Sequence, residues 1–142
     1  MSGMLLIDRQ HKLFWLSSNA VFNFTVYHMA QLMKEVRPDI ANEFLDSDSE
    51  IPGMSYLNIE DYSLADKEYV LTILIEFRRL IVEHGKANPG LLLKYDMPDE
   101  WSDAEKEQYR RLGPQPMTHD DMDKKLAEFE SILRQSIENM RR

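Results

Sequence analysis

The chain contains no cysteine. Disulfides, zinc–thiolate sites, iron–sulfur clusters and cysteine nucleophiles are therefore excluded, and the composition suits a reducing compartment such as the cytoplasm. Glycine is scarce as well. The five residues Gly3, Gly53, Gly85, Gly90 and Gly113 stand too far apart to build a Walker A loop or a Gly-x-Gly-x-x-Gly fingerprint, and Gly-x-Ser-x-Gly is missing. The four histidines, His11, His28, His84 and His119, include no pair at i, i+4 and no HExxH. A helical metal centre built from paired Glu-x-x-His motifs is thus not expected. No cofactor and no enzyme activity are expected from these residues.

Long apolar runs are also missing. Met4 to Ile7 is four residues long with no basic region before it, so it is not read as a signal peptide. The segment from Tyr69 to Phe77 is strongly apolar but far shorter than the ~20 residues that a membrane span requires. Basic charge is thin: Arg78-Arg79 and Arg110-Arg111 are doublets on predicted helices, expected to pair with Glu76, Glu83 or Glu107. Phosphate binding through them would work against the field of the whole chain, so nucleic acid and anionic membrane are excluded as partners.

What the chain does have is acid in one place. From Glu35 to Asp66 there are nine carboxylates and a single basic residue, Arg37, a local balance of −8 that equals the formal net charge of the protein. A field so concentrated attracts cations and basic proteins. Within it, Asp46-Ser47-Asp48-Ser49-Glu50 is only superficially like a calcium loop. Ile51 occupies the sixth position, where glycine is needed, and Leu57 the twelfth, where glutamate is needed.

Periodicity predicts an all-α fold, a single-domain bundle of about five to six helices over residues 1–142. Phe22, Val26, Met29, Met33 and Val36 mark one face of a helix over 19–36, with Ser17, Ser18 or Asn19 as its N-cap. Pro38 suits the first turn of a short helix to Leu45, with Ile40 and Phe44 on its apolar edge and Asp39 and Glu43 together on another face. A long acidic connection follows near residues 46–62, broken by Pro52-Gly53. Ser63 and Asp66 open a helix to about residue 83, with Val70, Ile73, Leu74, Phe77, Leu80 and Ile81 as its stripe and Gly85 as a C-cap. A strand over 69–77 is the alternative. Ser102 and Glu105 form a capping box for a helix to Leu112. Thr118 caps the last helix, whose stripe runs through Met122, Leu126, Phe129, Leu133, Ile137 and Met140. The stripe is expected on this chain's own core rather than on a coiled-coil partner. Whether residues 4–16 are helix or strand is left open, because a short apolar run fits both.

The functional expectation follows from charge placement. A small acidic protein can cover the electropositive active site of a nuclease, and charge complementarity speeds such an association. The favoured reading is an immunity protein that neutralises a cognate bacterial toxin. Its partner-binding residues are expected to be Asp39, Glu43, Asp46, Asp48, Glu50, Tyr56, Glu60, Asp61 and Tyr62, with carboxylates for steering and tyrosines for buried contact. The alternatives are a helical adaptor or chaperone for a basic protein, using its nine methionines, and a helical metal-binding protein or enzyme.

Overall fold

The computed structural model describes residues 2–47, 55–93, 101–112 and 117–142. In chain order the elements are β1 (Ser2–Asp8), β2 (Leu13–Ser18), α1 (Asn19–Met33), α2 (Pro38–Leu45), β3 (Ser55–Asn58), α3 (Leu64–Ala87), α4 (Asp103–Leu112) and α5 (His119–Arg141). The all-α expectation is overturned. Five helices are joined by a three-stranded mixed sheet of order β2-β1-β3, giving an α+β mixture rather than a helical bundle. β1 pairs antiparallel with β2 through a tight hairpin, and parallel with β3.

The sheet escaped a periodicity reading for a physical reason. A half-buried strand is recognised by apolar residues inside and polar ones outside. In β2 that rule is inverted at three positions: Phe14 and Leu16 face outward, whereas Ser17 faces inward and is buried. In β1 both faces are apolar and buried, with Leu5 and Ile7 on the inner face and Leu6 on the outer one. The long connection expected over 46–62 contains β3, and its partner β1 lies some fifty residues earlier, so nothing local announces the pairing.

The helices follow their predicted starts because the caps are intact. Ser18 Oγ accepts from Val21 N–H at 3.2 Å, Ser63 Oγ from Asp66 N–H at 3.1 Å and Thr118 Oγ1 from Asp121 N–H at 3.0 Å. Each satisfies one of the N–H groups that a helix start leaves unpaired. Ser102 and Glu105 bond reciprocally, side chain to backbone. The far ends differ from expectation in two places. α1 closes at Met33, whose C=O accepts from Arg37 N–H at 2.8 Å, so Val36 leaves the apolar face and is 71% exposed. α3 runs through Gly85 to Ala87, so Gly85 is not a C-cap. A Cβ there would meet the His119 side chain at 2.9 Å, so glycine permits the close approach of α5.

The core lies between one face of the sheet and helices α1, α2, α3 and α5. Phe22, Met29 and Met33 come from α1, Val70, Leu74 and Phe77 from α3, and Met122, Leu126, Phe129 and Leu133 from α5. Ile75, Leu80 and Val82 of α3 are exposed, so that helix buries a stripe rather than most of its circumference. Trp15 ties β2 to α5: its ring stacks on Phe129 at 5.0 Å and its indole N–H donates to Lys125 C=O at 3.1 Å. Gly3 lies on Phe22 so closely that a Cβ would fall 2.4 Å from that side chain. Lys67 is 2% exposed, and its ammonium donates to Ile7 C=O at 3.1 Å and Ser136 Oγ at 2.9 Å. Burial pulls its pKa below the ordinary lysine range, with Asp8, Glu60 and Asp61 opposing. Among the described residues no helix is long and apolar enough to cross a membrane.

Candidate protein-binding face

The acidic segment folds against one margin of the sheet. Pro38 starts α2, which buries Ile40, Ala41 and Phe44 and leaves Asp39, Asn42, Glu43 and Asp46 exposed. β3 then enters beside β1. Tyr56 N–H donates to Ser47 C=O at 3.2 Å and Ile59 N–H to Leu6 C=O at 2.9 Å, which brings the end of α2 alongside the strand. A turn through Glu60 and Asp61 closes when Tyr62 N–H donates to Ile59 C=O at 3.1 Å, and α3 begins at once.

An open depression of about 530 Å³ forms between these pieces, lined by Glu43, Asp46, Leu57, Asn58, Asp61 and Tyr62. The Tyr62 hydroxyl donates to Glu43 Oε2. Burial raises the Tyr62 pKa well above the phenol range, and the Glu43 carboxylate adds to the effect. Tyr62 is thus a fixed donor that orients Glu43. Three carboxylates line the depression and, among the described residues, no basic side chain does. The half-buried Tyr62 ring supplies apolar surface beside them, while Leu57 is buried in the core at the floor of the depression. Chemically the site can accept hydrogen bonds from ammonium or guanidinium groups and receive their aliphatic stems.

The expected residues divide into three groups. Glu43, Asp46, Asp61 and Tyr62 are brought together. Asp39, Glu60 and Tyr56 are placed elsewhere. Asp39 takes two bonds from Arg37, 3.1 Å from Nε and 2.9 Å from Nη2, and the Arg37 guanidinium holds its carboxyl below the usual range. Arg37 Nη1 also reaches Asp66 at 2.8 Å, and the guanidinium lies 5.7 Å over the Tyr69 ring. The one arginine of the acidic segment therefore neutralises its flank and not its centre. Glu60 accepts from Asn58 Nδ2 at 3.1 Å and lies 3.4 Å from Arg9, a residue of the β1–β2 hairpin. Tyr56 stands opposite Met4 on the outer face of the sheet. Asp48 and Glu50 lie outside the described residues, as does Pro52-Gly53. Leu57 and Asn58 line the depression without having been expected there, because only the β1–β3 pairing carries them to it.

Three arginines of the two doublets, Arg78, Arg79 and Arg111, are committed to pairs. Arg79 bonds Glu76 and Glu83 on its own helix, and Arg111 lies 3.7 Å from Glu107. Arg78 crosses to α5, bonding Asp123 at 2.8 Å and Glu130 at 3.1 Å. Among the described residues no group of three or more His, Asp or Glu is placed to hold a metal ion. His84 Nδ1 and His119 Nε2 are 2.9 Å apart and form a hydrogen-bonded pair across α3 and α5. His28 is half-buried among Phe24, Tyr27 and Phe77.

No protein-family model matches the chain, and neither a curated protein nor a solved structure matches it significantly.

Proposed function

We propose that this chain is an acidic binding protein that acts by occupying a basic surface on another protein. In its concrete form it is a bacterial immunity protein of the cytoplasm that neutralises a cognate toxin, with a nuclease as the partner whose active site best fits the charge. The observation that carries the reading is the depression at Tyr62, where Glu43, Asp46 and Asp61 stand, among the described residues, without a basic neighbour lining the site. A nuclease cleft must be electropositive to hold phosphates. Its lysines and arginines complement such a depression, and blocking substrate access is enough to inhibit. Complementary charge raises the association rate above the neutral 10⁵–10⁶ M⁻¹s⁻¹ by roughly one to three decades at low salt.

An adaptor working through exposed methionines is less well supported, because Met29, Met33 and Met122 are fully buried in the core. The test is capture of partners from the lysate of the source organism at low and high salt. A basic protein released by salt, whose nuclease activity or toxicity disappears on mixing, is the expected result. The double variant Asp46→Lys with Asp61→Lys should keep the fold and slow association by at least about tenfold. Association that is unchanged in the variant would remove this face from consideration.

A further inference from the structure

β2 forms the opposite margin of the sheet, and its open side has hydrogen-bonding groups to spare. Leu6 C=O accepts from Ile59 N–H, so Leu6 and its alternate Met4 direct their backbone groups toward β3. Leu5 and Gly3 then direct theirs toward β2, where they face Trp15 and Ser17. Alternation along an antiparallel strand turns the N–H and C=O of Phe14 and Leu16 away from the sheet. Among the described residues no backbone bond from another segment reaches them.

The same two residues leave apolar side chains in the open. Phe14 is 41% and Leu16 50% exposed. They stand at the ends of two rows across the outer face, Leu16–Met4–Tyr56 and Phe14–Leu6–Asn58. Natural sheet edges are ordinarily blunted by proline, by charge or by a covering segment. Leu13–Ser18 contains neither proline nor a charged residue.

We propose that this edge is the docking site for a second copy of the chain, β2 against β2, antiparallel about a two-fold axis, merging two three-stranded sheets into one of six strands. Two observations select a second copy over a foreign strand. The edge is self-complementary: with the axis at Trp15, the outward donors and acceptors of Phe14 in one copy meet those of Leu16 in the other, and their side chains meet on the same face. Charge points the same way. A protein of net charge −8 repels its own copies along most approaches. Glu43, Asp46 and Asp61 lie beside β3, across the sheet from β2, so pairing at β2 keeps the two acidic depressions at opposite ends. A basic partner, by contrast, is drawn to the β3 margin.

The experiment is sedimentation velocity of the full chain across the micromolar range, at physiological salt, with far-UV circular dichroism as the fold control. The expected species is a dimer. Leu16→Lys places a charge on the open edge and should weaken the dimer at least about tenfold while leaving the monomer folded. Leu16→Pro removes only an outward N–H and should do the same. If that proline does not fold, Phe14→Lys takes its place. A monomer at every concentration overturns the proposal, as does a dimer that both lysine variants leave intact. Recruitment of a different protein at this edge by a chain that stays monomeric also overturns it.

Discussion

The two margins of the sheet solve the same problem in opposite ways. At β3 the edge is partly covered by the end of α2 and flanked by charge. The outward Tyr56 N–H donates to Ser47 C=O at 3.2 Å, and the flanks carry Glu43, Asp46, Glu60 and Asp61. At β2, among the described residues, no backbone bond reaches the outward groups of Phe14 and Leu16, and no charge stands on the strand. β2 is held instead from within, through Trp15 against Phe129 and Lys125. An edge closed by backbone and charge leaves its side chains free to meet a charged partner. An edge held only by its inner face leaves its backbone free to meet another strand.

This contrast can be broken by substitution. Trp15→Ala should cost about 3–5 kcal/mol, because it removes a fully buried ring and its indole bond. Leu16→Ala, one residue on, should stay within about 0.5–1 kcal/mol when measured on the monomer. Urea unfolding midpoints compare them directly, and equal costs would mean that β2 is not anchored by its inner face alone.

The next effect concerns the lysine under β1. Lys67→Met leaves Ile7 C=O and Ser136 Oγ buried without their donor and should cost about 1–3 kcal/mol. Adding Ser136→Ala should recover part of that loss, so the two changes should be measurably non-additive. The pH dependence has a definite sign. The folded state holds the Lys67 proton less tightly than the unfolded chain, so the unfolded chain binds more protons as pH approaches the ordinary lysine range. Stability of the native protein relative to Lys67→Met should therefore rise as pH climbs toward the ordinary lysine range and level off above it. A flat difference would show that the ammonium carries no burial penalty.

At the β3 margin the effects are smaller. Tyr62→Phe should cost roughly 0.5–1.5 kcal/mol through loss of the bond to Glu43, and it should weaken partner binding more than stability. Asp39 adds a sign that can be checked in acid. Arg37 depresses its carboxyl pKa, so its contribution is present above the ordinary carboxylate range and is lost as pH falls through the lowered value. Arg37→Gln should flatten that part of the acid titration of stability. The smallest effect belongs to the hairpin, where Lys12 sits at φ 57°, in the left-handed region. Lys12→Gly should stabilise by no more than about 0.5–1 kcal/mol, since relief of the side-chain clash is offset by glycine's greater chain entropy. It should leave both margins unchanged by amide exchange.

Helix positions were legible because each carries its own signal: Ser18, Ser63, Ser102 and Thr118 as caps, Pro38 as an opener, and stripes at the 3.6-residue period. These depend on residues three or four apart, and a sequence displays such neighbours directly. The acidic segment and its sign were legible for the same reason. The sheet was not. Phe14 and Leu16 look like core residues, Ser17 looks like surface, and β3 is four residues long with its partner far away in the chain. The candidate site was legible in part. Glu43, Asp46, Asp61 and Tyr62 were within reach of charge and composition. Asp39 pairs with Arg37 two residues away, a local contact that counting charges alone did not single out, whereas only tertiary structure linked Glu60 to Arg9 and sent Tyr56 to the sheet's outer face.

By itself, then, the sequence determined the helices, the absence of thiol chemistry and the placement of negative charge, all properties of composition and short-range spacing. Tertiary structure decided that β1 lies between strands from two distant segments, and thereby which carboxylates share a surface and which edge is left open. Those outcomes depend on contacts between residues tens of positions apart, whose free energy exists only once the chain has closed the loops between them.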